Sequence, residues 1–113
     1  MAMRLRLDKP WQDLTAKTAA GLPGQLGVYQ VADASGAVLY IGQAGARSPF
    51  GLRSELQREL AERGAGCQFR VEVNQQYRTR WFELLMVHQA DHGSLPADNA
   101  KNPPPNLGRL SPA

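Results

Sequence analysis

Two short runs rich in β-branched and aromatic residues, Gly-Val-Tyr-Gln-Val-Ala at 27–32 and Ala-Val-Leu-Tyr-Ile at 37–41, are separated only by Asp33, Ala34, Ser35 and Gly36. Asp first and Gly last suit a type I turn, so the pattern predicts an antiparallel β-hairpin. Residues 50–63 carry Leu52, Leu56 and Leu60 on one stripe, with Gly64 where a C-terminal cap belongs, and predict a helix. Cys67, Phe69, Val71 and Val73 then alternate with Gln68, Arg70 and Glu72, the period of a strand with one covered face. Thr79 is the expected N-cap of a second, largely buried helix over 80–91, on which Trp81, Phe82, Leu84, Leu85, Met86 and Val87 cover most of the circumference. Residues 11–20 predict a short helix ended by Gly21 and Pro23. Residues 1–9 predict an edge strand or arm, and 98–105, with Pro103, Pro104 and Pro105, a loop. The order implies a small α/β sandwich in which helices cover a three-stranded mixed or antiparallel sheet.

At 113 residues this is one domain, read as an N-terminal arm and short helix over 1–21, the domain proper over 22–110 and a tail over 111–113. Cys67 is alone, which excludes a disulfide framework; no apolar run approaches the length of a bilayer span; and Arg4-Leu5-Arg6-Leu7 is not a signal-peptide core. A reduced, cytoplasmic protein is expected. Thirteen Lys plus Arg against ten Asp plus Glu leave a net +3, which permits a nucleic-acid partner without requiring one.

With a four-residue turn, Ala32 would pair with Ala37, Val31 with Val38, Tyr29 with Tyr40 and Gly27 with Gly42. These pairs would share one face, while Leu26, Val28, Leu39 and Ile41 would form a core on the other. Two phenols beside two glycines describe a sheet surface opened for a ligand. They equally describe an aromatic cross-strand pair that stabilises the hairpin by roughly 0.2–1 kcal/mol. Glu83 stands in the most apolar stretch of the chain and needs a partner there, either a metal or one of Arg53, Arg70 and Arg80. His88 and His92, at i and i+4, lack a third ligand at zinc-like spacing and read as helix-surface histidines. Cys67 reads as a small core residue.

Gly27-Val28-Tyr29, ten intervening residues and Tyr40-Ile41-Gly42 resemble the paired signature of the GIY-YIG nuclease family, and the likeness extends over most of the chain. The resemblance implies a divalent-metal-dependent endonuclease that hydrolyses DNA phosphodiester bonds. Tyr29 and Tyr40 would help to deprotonate water, a cation would lower the phenol pKa, and Glu83 would hold a single Mg2+ or Mn2+. Asn106, in Pro104-Pro105-Asn106, matches the asparagine that closes the family domain; a turn asparagine is the other reading. Where the family carries its helix arginine this chain has Glu55, with Arg53 two residues earlier, Arg58 three later and Arg47 in the preceding loop. Arg53 is the nearest substitute, set against a solvated arginine paired with Glu55 or Glu59. Gly42, Arg47, Arg78, Arg80 and Lys101 are the expected nucleic-acid contacts, and a homodimer or partner chain would supply specificity. The displaced arginine keeps a second reading open: a catalytically degenerate GIY-YIG-like domain that binds nucleic acid or a protein partner without cleavage.

Overall fold

The structure is a computed structural model that describes residues 6–104; Asn106 and the tail lie outside the described residues, as do residues 1–5 of the expected arm. The elements are β1 (Gln12–Asp13), α1 (Ala16–Ala20), β2 (Gly27–Ala32), β3 (Val38–Ala44), α2 (Gly51–Arg63), β4 (Gln68–Val73), α3 (Tyr77–His92) and α4 (Ala97–Ala100). The sheet has four strands in the order β1-β4-β2-β3, one more than the three expected, and every pair is antiparallel, one of the two arrangements the sequence left open. The additional strand comes from the segment expected to be wholly helical. Gln12 and Asp13 pair with Phe69 and Gln68, and only then does Thr15 start α1. Its hydroxyl accepts the Thr18 amide at 3.1 Å while the Thr18 hydroxyl accepts the Thr15 amide at 2.9 Å, a reciprocal cap that leaves two residues outside the helix free to pair. No helix among the described residues is long and apolar enough to cross a membrane.

The hairpin forms with a register different from the one its turn implied. Ala32 pairs with Val38, Val31 with Tyr40, Tyr29 with Gly42 and Gly27 with Ala44, so Leu39 is an extra residue on β3 opposite the Val31/Ala32 step. The Asp33 carboxylate sets the wider turn, accepting the Ser35 hydroxyl at 2.6 Å and the Ser35 and Ala37 amides at 2.9 and 3.1 Å. The bulge sends Val38 to the face opposite the tyrosines, where it packs among α3 side chains. Tyr29 and Tyr40 become diagonal neighbours on the same face, ring centroids 6.0 Å apart, instead of a directly opposed pair.

Both sheet faces are covered. Leu14, Ala19, Leu22, Tyr29, Val31, Leu52, Leu56 and Phe69 pack together under α1 and α2, while Val28, Ile41, Leu84 and Leu85 pack under α3 with Leu7. Because Val28 and Tyr29 are consecutive on β2, their side chains leave the sheet in opposite directions, and the two helices are separated by the sheet itself. The second helix begins at Tyr77, earlier than the expected Thr79 cap, because Asn74 Oδ1 accepts the Gln76 amide at 2.8 Å and turns the chain there. It is also less buried than its composition predicts: Leu84, Leu85 and Arg80 are its buried residues, and Met86 is exposed. The expected loop near residue 98 contains α4. Asn99, almost wholly buried, accepts the Ile41 amide at 2.7 Å and donates to the Ile41 carbonyl at 2.9 Å, taking the place of a neighbouring strand on the outer edge of β3.

Candidate functional site

The tyrosine face holds a closed polar network. Tyr29 is 1 % exposed, and its hydroxyl donates to Glu59 Oε2 at 2.7 Å. Glu59, itself 2 % exposed, also accepts Arg63 Nε at 2.7 Å and lies 3.5 Å from Arg58 Nη2, which donates to the Tyr29 oxygen at 3.4 Å. Arg58 is held by Glu55 at 2.6 Å, and Glu55 accepts the Ser48 hydroxyl at 2.6 Å. Arg63 reaches on to Asp98 at 2.7 Å and lies 5.8 Å from the centre of the Tyr40 ring. A tyrosine, arginine and glutamate cluster therefore exists, but Arg58 and Glu59 build it, not Arg53 and Glu83. Its electrostatics oppose base catalysis by a phenol. Burial, then the Glu59 charge, pushes Tyr29 well above the ordinary tyrosine range, and the same two causes in the same order raise Tyr40.

Sequence reasoning offered Glu59 only as a partner for Arg53 and passed over Arg63, although position 59 falls on the Leu52–Leu56 stripe at i+7 and Arg63 stands one turn beyond it. Arg53 is turned away from the tyrosines. Its Nε donates to the Leu22 carbonyl at 2.9 Å and its guanidinium stands 5.9 Å from the centre of the Phe50 ring. Gly42 does open space, but for Tyr29: a Cβ at position 42 would lie 2.3 Å from Tyr29 Cζ.

Glu83 belongs to the opposite face. It is ion-paired with Arg80, whose guanidinium also donates to Glu72 at 2.8 and 3.1 Å. Glu72 stands opposite Val28 on the α3 side of the sheet. Arg80, 8 % exposed, is thus a buried bridge between two carboxylates and not a surface contact for phosphate. A divalent ion on Glu83 would share the carboxylate with that guanidinium, and it would face the tyrosines across a β-sheet. The residues present do not fit a metal shared between Glu83 and the phenols. Among the described residues no group of three or more His, Cys, Asp and Glu stands ready to hold an ion elsewhere. The His88 and His92 rings lie against each other at 4.3 Å, with His88 Nδ1 3.0 Å from the Ser94 carbonyl.

A different concentration of charge lies at the end of the sheet where β2 begins and β3 and β4 finish, since Gly27 pairs with both Ala44 and Val73. The loop at 45–50 and the first turns of α2 and α3 meet there, and the ring of Tyr77 lies so close over Gly45 that a Cβ would approach it to 2.9 Å. Neither helix has a side-chain N-cap or an acid in its first turn. Arg47, Arg53 and Arg78 stand at this end, and among the described residues none of them has an acidic partner. The other described arginines are all held by side chains: Arg6 by Asp91, Arg58 by Glu55, Arg63 by Glu59, Arg70 by Gln30 and Arg80 by Glu72. Lys101, by contrast, is paired with Asp98 at 3.1 Å beside α4.

No curated protein and no solved structure matches the chain. Residues 3–91, well over half of its length, match the family described as a domain of unknown function, DUF7508, and the chain belongs to that family.

Proposed function

We propose that the chain is a non-cleaving nucleic-acid-binding domain with a GIY-YIG-like build, which engages the phosphate backbone through Arg47, Arg53 and Arg78. The carrying observation is that these three arginines, free of acidic partners among the described residues, share one end of the sheet while the other described arginines are neutralised or bound. Guanidiniums without a carboxylate partner turn toward phosphate oxygens without breaking an ion pair, whereas Arg80 would have to abandon two carboxylates. The likeness to the nuclease family is supported by the paired tripeptides, which lie on the adjacent strands β2 and β3 with a helix following. The absence of cleavage is supported by the separation of Glu83 from the tyrosines and by phenols that hold their protons more tightly than usual.

Fluorescence anisotropy of labelled oligonucleotides over a series of salt concentrations tests this reading. Binding should weaken steeply with salt, and Arg47→Ala and Arg78→Ala should each weaken it further. Incubating plasmid and branched DNA with Mg2+ or Mn2+ should leave both intact. Cleavage that disappears in Tyr40→Phe would replace this reading with the endonuclease one.

A further inference from the structure

Phe50 is the most exposed large apolar side chain among the described residues, at 59 %, and it stands in the middle of the basic end of the sheet. Its backbone is clamped. The Phe50 amide donates to Ser54 Oγ at 2.9 Å, its carbonyl accepts the Arg53 amide at 3.1 Å, and the backbone of Gly24 lies against it. The next residue, Gly51, has φ +55° and sits so tightly on Gln25 that a Cβ would lie 2.2 Å from the Gln25 carbonyl oxygen. The helix start is therefore rigid and holds an aromatic ring out into solvent. Arg53, anchored on the Leu22 carbonyl, brings its guanidinium alongside that ring, and Arg47 precedes it in the same loop.

We infer that Phe50 and Arg53 form a stacking platform for an unpaired base, so that this end of the domain selects single-stranded nucleic acid. The inference rests on the nucleic-acid reading above and names the form of nucleic acid that the same surface takes. An exposed aromatic face beside cations that have no acidic partner among the described residues matches the two requirements of single-strand binding, a π-surface for the base and positive charge for the backbone. In a duplex the bases are already stacked and paired, and Phe50 has nothing to stack on. Because the backbone that carries the ring is clamped and the Arg53 guanidinium is bonded to the Leu22 carbonyl before binding, less conformational freedom is lost when a base arrives.

The test uses the whole chain and two fluorescein-labelled probes, an oligothymidylate and a mixed-sequence duplex of the same length, at low salt. The wild type should bind the single strand more tightly. Phe50→Ala should weaken single-strand binding by about tenfold or more, the scale of one lost base–aromatic stack, and leave duplex binding unchanged, while Phe50→Trp retains the preference. Thermal melting should show both variants folded, since the side chain being changed is exposed. If Phe50→Ala weakens both probes alike, or neither, the platform is wrong; the wider reading survives that result as long as Arg47→Ala and Arg78→Ala weaken binding. If the wild type binds neither probe, both readings fall together. A change in sedimentation caused by Phe50→Ala, without loss of single-strand affinity, would assign the ring to contact between copies of the chain and overturn the inference.

Discussion

The ring of Tyr29 fills the space that a side chain at position 42 would need: the two residues are directly paired across the hairpin, and a Cβ on Gly42 would come within 2.6 Å of three atoms of the phenol. The phenol cannot simply swing aside, because it is buried and its hydroxyl is bonded to Glu59. Gly42→Ala should therefore destabilise the protein by about 1–3 kcal/mol through overpacking, read as a lower urea midpoint. In a Tyr29→Leu background the same change should cost markedly less. A double-mutant cycle with no coupling between the two positions would refute this account of the glycine.

Tyr29 also makes a prediction at alkaline pH. Its pKa in the folded protein is raised by burial first and then by Glu59, so above the ordinary phenol value of 10.0 the unfolded chain releases a proton that the folded one keeps. The contribution to stability is complete below pH 10 and is lost as pH rises from there toward the folded-state pKa. Tyr29→Phe should lower stability by about 1.5–3 kcal/mol at neutral pH, the scale of a hydrogen bond to a charged acceptor, and should flatten the alkaline decline. Denaturant unfolding at a series of pH values, with phenolate absorbance followed in parallel, checks both statements.

Arg80 and Glu83 should behave as structural partners on the α3 face. Arg80→Ala removes the cation shared by Glu72 and Glu83 and leaves two carboxylates facing each other, which should cost about 1–3 kcal/mol. Glu83→Gln should cost less, because Arg80 keeps Glu72, and it should leave oligonucleotide affinity unchanged. Loss of binding in Glu83→Gln, in a variant that melts like the wild type, would contradict the assignment of binding to Arg47, Arg53 and Arg78 in place of the Arg80 ion pairs.

Asn99 substitutes for a missing strand neighbour by meeting both the amide and the carbonyl of Ile41. Asn99→Ala should leave a buried amide without its acceptor and lower stability by about 1–3 kcal/mol. Hydrogen exchange should then show faster exchange at Ile41 than at its unaltered neighbours on β2. An unchanged rate there would mean that another group has taken over the amide.

On the proposed binding surface, Arg47→Ala and Arg78→Ala should each reduce the slope of log affinity against log salt by about one, because each removes about one displaced counterion. The double substitution should reduce it by about two. The folded state should be almost unaffected, since neither side chain is bonded to another residue among those described.

Local pattern determined much of this protein. The hairpin, the Leu52–Leu56 helix, the alternating strand and the apolar helix after it are each written in short-range periodicity, and burial of one face per element leaves few ways to assemble them. The strand β1 and the helix α4 were not legible, because two residues pairing with β4 and one asparagine meeting Ile41 depend on partners more than fifty residues away. The site divides in the same way. The hairpin pattern put Tyr29 and Tyr40 on adjacent strands and one face, and they do share a face. Which acid joins them was a matter of which side of the sheet each helix covers: α2 lies with the tyrosines and supplies Glu59, whereas α3 lies behind and keeps Glu83 with Arg80. Residue spacing is blind to that choice, because a strand presents both faces in alternation and only the packed helices decide what each face meets.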